Sequence, residues 1–179
     1  MDDVFFFQLK GVFFSLWIVV GGIVLAAPAS SFSATVAGQK VAVVERNLSW
    51  PDALLYCRDF YWDLLSIHSE EEQMEVEGVL NSTSFPLTKH VWLGLRRTLM
   101  AGTWFWMPGD SLSYAYWKTG HAWQITSPCG GMETETPTYW RDLPCGDHLY
   151  FICLTDVPTK DSRVPFYTSV RGEPPKGKA

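Results

Sequence analysis

The sequence predicts an α+β domain, because two capped helices lie in its first half, strands and loops dominate its second half, and four cysteines accompany them. Apolar residues recur at helical spacing only between residues 49 and 80, and strand-like runs dominate from Val91 onward. Helices and strands that are segregated along a chain are typical of α+β domains. With 179 residues, of which 47% are hydrophobic, the chain is long enough for one domain with accessory segments.

The first 29 residues are interpreted as a targeting segment. Val12 to Leu25 is an uncharged apolar run behind Lys10, and Ala27-Pro28-Ala29 offers small residues to a signal peptidase. The alternative is an uncleaved membrane anchor, because Val12 to Ala29 is just long enough to span a bilayer. Either interpretation places the rest of the chain outside the cytosol, secreted or at the cell surface. Contact with a membrane is expected only if this segment is retained.

The predicted domain opens with a strand and a helix. Residues 30–40 are small and polar and are interpreted as a connector, and Val41 to Val44 is an apolar run that predicts the first strand. Ser49 predicts an N-cap, with Asp52 three residues later and Pro51 in the first turn. The residues that recur on one face of this helix are Trp50, Ala53, Leu54, Cys57 and Tyr61.

A second helix is predicted shortly after the first. Leu64 to Ile67 indicates a short strand, and Ser69 with Glu72 then forms a second capping pair. The acidic start of this helix suits the positive end of the helix dipole, and the helix is expected to end near Leu80.

Strands and loops dominate the remainder of the domain. The strand candidates are Val91–Leu95, Trp104–Trp106, Tyr139–Trp140 and His148–Leu154. Residues 108–139 are rich in Gly, Pro, Ser and Thr, and a loop of that length inside a compact domain is usually functional or disordered. Residues 155–179 carry four prolines among charged residues and are interpreted as a flexible tail.

Charge, sequons and cysteines narrow the class of protein further. The formal charge of −5 argues against a nucleic-acid partner, which requires a basic surface. Asn47-Leu48-Ser49 and Asn81-Ser82-Thr83 are sequons for N-glycosylation at Asn47 and Asn81. An even number of cysteines in an exported chain predicts two disulfides, for which three connectivities are possible. These cysteines are Cys57, Cys129, Cys145 and Cys153.

Several short motifs occur in a characteristic order along the chain. They are Trp92-Leu93-Gly94-Leu95, Trp104-x-Trp106-x-x-Gly109, Trp140-Arg141-Asp142-Leu143-Pro144-Cys145 and Phe151-Ile152-Cys153. With the two helices and four cysteines, this order resembles the C-type lectin-like domain over about residues 41–154. The resemblance implies two helices, two small antiparallel sheets and a long loop region. It also implies the disulfides Cys57–Cys153 and Cys129–Cys145.

The resemblance further implies where a calcium site would lie. Calcium-dependent members bind sugars through a Glu-Pro-Asn or Gln-Pro-Asp tripeptide, a further acid and a Trp-Asn-Asp motif, which supply the oxygens that Ca²⁺ requires. The corresponding positions here are His121, Trp123, Ser127, Arg141 and Asp142. Only Asp142 keeps a suitable side chain, and Arg141 brings a positive charge. We therefore expect no metal at this position and no cofactor.

These observations predict an extracellular recognition module that binds a protein ligand without calcium. Glycan binding is the alternative, and it rests on the family resemblance alone. An enzyme is not supported, because scattered histidines would have to converge and Cys145 is implied to form a disulfide. The long loop is the expected contact surface, since it combines polar and aromatic residues. The candidate ligand-binding residues are His121, Trp123, Glu133, Glu135, Arg141 and Asp142.

Overall fold

The structure is a computed structural model that describes residues 29–118 and 124–156. It also describes the backbone of two short antiparallel strands, Val19–Val20 (β1) and Ile23–Val24 (β2). The other residues of the predicted targeting segment, and the tail from residue 157, lie outside the described residues. Within the described ranges, no helix has the length and hydropathy that a membrane span requires.

Ten further elements form the domain. In chain order they are β3 (Ser31–Val36), β4 (Gln39–Leu48), α1 (Trp50–Phe60), β5 (Asp63–Leu64), α2 (Glu70–Asn81), β6 (His90–Arg97), β7 (Trp104–Trp106), β8 (Cys129–Glu133), β9 (Trp140–Leu143) and β10 (Leu149–Leu154). The strands pair in the order β3-β4-β10-β6-β8-β9, while β5 pairs with β10 and β7 with β6. The β10–β6 pair is parallel, and it joins an antiparallel group on one side to an antiparallel group on the other. The predicted α+β class with two helices is confirmed.

Both helices begin at the predicted caps. The Ser49 hydroxyl accepts the backbone N–H of Asp52 at 3.4 Å, and the Ser69 hydroxyl accepts that of Glu72 at 3.2 Å. The Glu72 carboxylate reaches back to the backbone N–H of His68 at 2.7 Å. These contacts satisfy backbone donors that the first turn of a helix leaves without partners.

The helices pack on opposite faces of the sheet. Trp50 and Cys57 of α1 share a core with Phe151, whereas Val76 of α2 shares a second core with Ile152. Successive side chains of a strand point to opposite faces, so the central strand β10 contributes to both cores. This two-sided burial explains why β10 reads as an almost continuous apolar run in the sequence.

The interpretation of residues 30–40 as a connector is wrong. Residues 31–36 form β3, which pairs with β4 through a two-residue turn at Ala37 and Gly38. Polar residues at Ser31 and Ser33 alternate with Phe32, and this alternation is the strand signal that the small side chains obscured. The folded region therefore begins before residue 41.

The interpretation of residues 108–139 as one long loop is also wrong in part. Cys129–Glu133 forms β8, which lies between β6 and β9. A Cβ atom at Gly130 would lie 2.7 Å from the Leu95 side chain, and one at Gly131 would lie 2.8 Å from the Val91 carbonyl. Glycine is required at both places, and a strand that contains two glycines shows little hydrophobic periodicity.

The short strand predicted at Leu64 to Ile67 is present only as Asp63–Leu64. Leu65 continues into the core, where its N–H donates to the Ile152 carbonyl at 2.9 Å and its carbonyl accepts from Gly94 at 2.8 Å. Irregular backbone at this place is thus hydrogen-bonded to the strands on either side.

The two predicted glycosylation asparagines both lie on the surface. Asn47 is exposed near the end of β4, and Asn81 is the exposed last residue of α2. Their glycosylation stays a prediction, and nothing in their position hinders access to either side chain.

Both implied disulfides are present, as Cys57–Cys153 and Cys129–Cys145. They close segments with sequence separations of 96 and 16 residues. A longer closed segment restricts the unfolded chain more, and the two bonds should contribute about 5 and about 3 kcal/mol on the chain-entropy estimate. We expect Cys153→Ser to reduce secretion from cultured cells more than Cys129→Ser does. Equal secretion of the two variants, measured by immunoblot of the medium, would contradict this estimate.

Candidate ligand-binding face

The predicted site residues fall into three groups. His121 and Trp123 lie outside the described residues, in the gap at 119–123. Arg141 and Asp142 are neighbours on β9, and Ser127, Glu133 and Glu135 lie on or beside β8. Of these, Ser127 is buried at 1% exposure, so its side chain is not available to a ligand in solution.

Asp142 is engaged within the protein. Its Oδ2 accepts the backbone N–H of Gln124 at 2.7 Å, and the residue is 8% exposed. Gln124 is the first described residue after the gap at 119–123. The carboxylate therefore fixes the point at which the chain returns from that segment, which is a use of Asp142 that needs no metal.

Arg97 holds the other side of the same residue. The Arg97 guanidinium donates to the carbonyl of Gln124 and lies 5.6 Å from the centre of the Trp104 ring. Gln124 is thus bound through both its N–H and its C=O groups. Arg97 is itself almost buried, so the cation is held by the aromatic ring and by the loop backbone.

The opposite end of the segment is held by aromatic packing. Trp117 lies 5.0 Å from Trp104 and 5.6 Å from Trp140, measured between ring centres. The carbonyl of the preceding residue, Tyr116, accepts the backbone N–H of Trp140 at 2.9 Å. Residues 117 and 124 are therefore both anchored to the domain core, and they flank the segment that carries His121 and Trp123.

Arg141 and Glu133 form a separate charged pair. Arg141 Nε lies 3.6 Å from Glu133 Oε1, and the two side chains are 33% and 26% exposed. Arg141 pairs with Gly131 across the β8–β9 ladder, so it shares a face with Glu133 and not with its neighbour Asp142. The structure therefore separates Arg141 and Glu133 from Asp142, although the sequence grouped them. Glu135 is exposed beyond the end of β8.

His90 lies beside this charged pair. It lies directly opposite Glu133 in the β6–β8 ladder. Burial lowers the pKa of His90 below its ordinary value, and the nearby Glu133 carboxylate opposes this change. The sequence alone does not connect His90 with Glu133, because only the register of β6 and β8 brings the two residues together.

Gln73 is a positioning residue that was not among the candidates predicted from the sequence. It is buried on α2, its Oε1 accepts the indole N–H of Trp140 at 2.8 Å, and its Nε2 donates to Thr138 Oγ1 at 2.9 Å. These bonds fix the start of β9. The available signal was an amide three residues before Val76, on the helix face that also carries Val79 and Leu80.

No group of three or more His, Cys, Asp or Glu side chains arranged to hold a metal occurs among residues 29–118 and 124–156. Asp142 and the pair of Arg141 with Glu133 lie on opposite faces of β9, so they do not form one set of ligands. The described features of this region are therefore the two anchored residues Trp117 and Gln124 and the charged pair of Arg141 with Glu133.

A sequence profile of the Lectin C-type domain matches residues 46–155. The chain belongs to the C-type lectin domain family. The match covers more than half of the sequence and includes all four cysteines, both helices and β6 to β10. The predicted family is therefore confirmed.

Relatives in this family include large receptors and a small lectin. C-type mannose receptor 2 of Homo sapiens is 30% identical over 128 residues, which are 66% of this chain and 8% of that protein. Lymphocyte antigen 75 of Mesocricetus auratus is 33% identical over 109 residues, 59% of this chain and 6% of that one. C-type lectin lectoxin-Enh4 of Pseudoferania polylepis is 29% identical over 110 residues, 59% of this chain and 69% of that one. The chain thus spans only a small part of the receptor relatives.

Solved structures share the fold. Human lithostathine superposes with a TM-score of 0.63 at 24% identity and covers 70% of this chain and 97% of its own. Herring type II antifreeze protein gives 0.59 at 26% identity, with coverage of 70% and 96%. A calcium-independent type II antifreeze protein gives 0.53 at 24% identity, with coverage of 77% and 94%.

The role of Asp142 can be measured through stability. We expect Asp142→Ala to lower the free energy of unfolding by about 1–3 kcal/mol, because the buried N–H of Gln124 loses its acceptor. Asp142→Asn keeps an acceptor oxygen and should lose less. Urea unfolding of both variants in calcium-free buffer is the measurement, and two variants as stable as the wild type would contradict the assigned role.

Proposed function

We propose that this C-type lectin domain is an extracellular recognition module that binds a protein ligand without calcium. The observation that carries the proposal is the hydrogen bond between Asp142 and the backbone of Gln124, which occupies the one carboxylate retained at the family's calcium position. Arg141 is bound to Glu133 at the adjacent position. Ca²⁺ takes six to eight oxygen ligands, and a single carboxylate that already holds the loop backbone is far short of that number.

The proposed contact surface is the segment between Trp117 and Gln124 together with the face formed by Arg141, Glu133 and Glu135. A loop whose ends are fixed loses little conformational entropy when it binds, which favours affinity. An aromatic residue beside an arginine is a frequent combination at the centre of protein interfaces. Asp142 supports this surface from within and is proposed to act by positioning the loop.

Glycan binding is the second candidate, because the chain shares its family with a protein named a mannose receptor. Trp123 is also of a residue type that suits the apolar face of a sugar ring. Catalysis has no group of residues to support it in the described part of the chain, and the family is one of binding modules. We therefore propose no reaction.

Calcium independence can be tested without knowledge of the ligand. We expect the melting temperature to be the same in millimolar CaCl₂ and in EDTA, with MgCl₂ at equal ionic strength as the control. If 1 mM Ca²⁺ bound with a dissociation constant of 0.1 mM, it would stabilise the native state by about 1.4 kcal/mol, which a thermal melt detects. A calcium-specific rise that Asp142→Asn removes would overturn the proposal.

The contact surface can be tested with partners recovered from an array of extracellular proteins and from a glycan array. We expect Trp123→Ala and Arg141→Ala each to weaken binding of a recovered protein about tenfold or more, as at an interface hot spot. The melting temperature should change little, since the pair of Arg141 with Glu133 is partly exposed to water. Lys40→Ala, which removes a cation at the β3–β4 turn, is the matched control. Binding to glycans alone would favour the second candidate, and normal binding by both loop variants would place the interface elsewhere.

A further inference from the structure

Strand β3 is an edge of the sheet, and among the described residues it pairs with β4 alone. The Ser30 carbonyl accepts the N–H of Glu45 at 2.9 Å, so even-numbered residues direct their backbone groups toward β4. In an antiparallel ladder the alternate residues direct theirs the other way. Ser31, Ser33 and Thr35 therefore present a row of backbone donors and acceptors at the edge.

This edge lacks the features that usually protect one. Residues 31–36 contain no charged residue and no proline, which are the common means of preventing further strand pairing. Phe32 and Ala34 are only half-buried against the core beneath α2. An added strand would bury more of both side chains and would give the edge backbone its partners.

The chain leaves the domain close to this edge. The N–H of Thr155 donates to the Lys40 carbonyl at 2.9 Å, and Lys40 is itself the ladder partner of Thr35. The next strand position beyond β3 is three strand spacings from β10, or about 14 Å. Residues 157–165 can extend to about 30 Å, so the following segment can reach the edge.

That following segment has the pattern of a strand. From Val164 to Arg171 apolar residues recur at alternate positions, as Val164, Phe166 and Val170, with Thr168 between the last two. Tyr167, Ser169 and Arg171 occupy the other face. Alternation of this kind is typical of a half-buried strand, although Thr168 interrupts the apolar face and Tyr167 the polar one.

We propose that residues 166–171 add to the free edge of β3 as an antiparallel strand. β10 runs parallel to β3, so a chain that turns back after Thr155 runs antiparallel to β3. The apolar side chains of the tail segment then lie on the same face as those of β3. In this register Phe166 is opposite Val36, Thr168 is opposite Ala34, and Val170 is opposite Phe32. A tethered segment competes at an effective concentration in the millimolar range, which favours it over a second copy of the chain.

Cross-linking in the full-length chain tests the register. Ala34→Cys with Thr168→Cys creates a pair at a non-hydrogen-bonded position, where opposite Cα atoms lie about 4.5 Å apart and a disulfide can form. Ala34→Cys with Ser169→Cys is the matched control, because its second cysteine faces the other side. We expect an intrachain disulfide at monomer mass in the first variant and little in the control, by non-reducing peptide mapping. Equal yields, no cross-link, or a cross-linked dimer would each overturn the proposal.

Amide hydrogen exchange in full-length protein without added cysteines is the second measurement. We expect exchange at Ser33 and Thr35 to be slow in the wild type and at least about tenfold faster in Phe166→Asp, which puts a charge on the docking face. Val157→Asp, in the connecting stretch, should leave it slow. Fast exchange in the wild type, no effect of Phe166→Asp, or protection that depends on protein concentration would contradict docking of the tail. None of these results depends on the ligand proposed above.

Discussion

The indole N–H of Trp140 donates to Gln73 Oε1 at 2.8 Å, and this buried bond joins α2 to the edge strand β9. Trp106, Trp117 and Tyr114 pack edge-on against the same ring at centre distances of 5.3 to 5.6 Å. An indole or amide left unpaired here would cost about 1–3 kcal/mol, so the bond and the ring contacts together select one position of β9. The placement of the loop follows from it, because Trp117 rests on this ring and Asp142 belongs to the same strand.

The loop is held by contacts that belong to the chain itself. Asp142 accepts from Gln124, Arg97 donates to the same residue, and Trp117 is fixed among aromatic rings. Under the proposed function these contacts replace the organising role that a cation has in other members of the family. Such a module would recognise its ligand equally in calcium-rich and calcium-poor surroundings.

The sequence predicted the parts of the structure whose cause is local. Both caps follow from a hydroxyl three residues before an acid, and β6 follows from a run of large apolar residues. Strand β8 could not be predicted in this way, because its glycines are required by Leu95 and Val91, which are distant in sequence. The separation of Arg141 from Asp142 depends on strand pairing, and the proximity of His90 to Glu133 depends on register. For the candidate site, the sequence predicted which residues stand at the calcium positions and that most of them are not calcium ligands. It could not predict that these residues lie on two different faces, because that depends on how the strands pair.

The position of β10 has a consequence for how the chain is made. This strand is the last of the domain in sequence, yet it lies between β4 and β6 and carries Cys153 to its bond with Cys57. Until it has emerged from the ribosome, the two antiparallel groups have nothing to join them, and β4 and β6 each expose an edge. Synthesis adds about 5–20 residues per second, so the nascent chain spends several seconds with its aromatic core open. Folding must therefore follow synthesis of nearly the whole domain, and chaperones of the compartment that forms the disulfides would meet the chain in this open state.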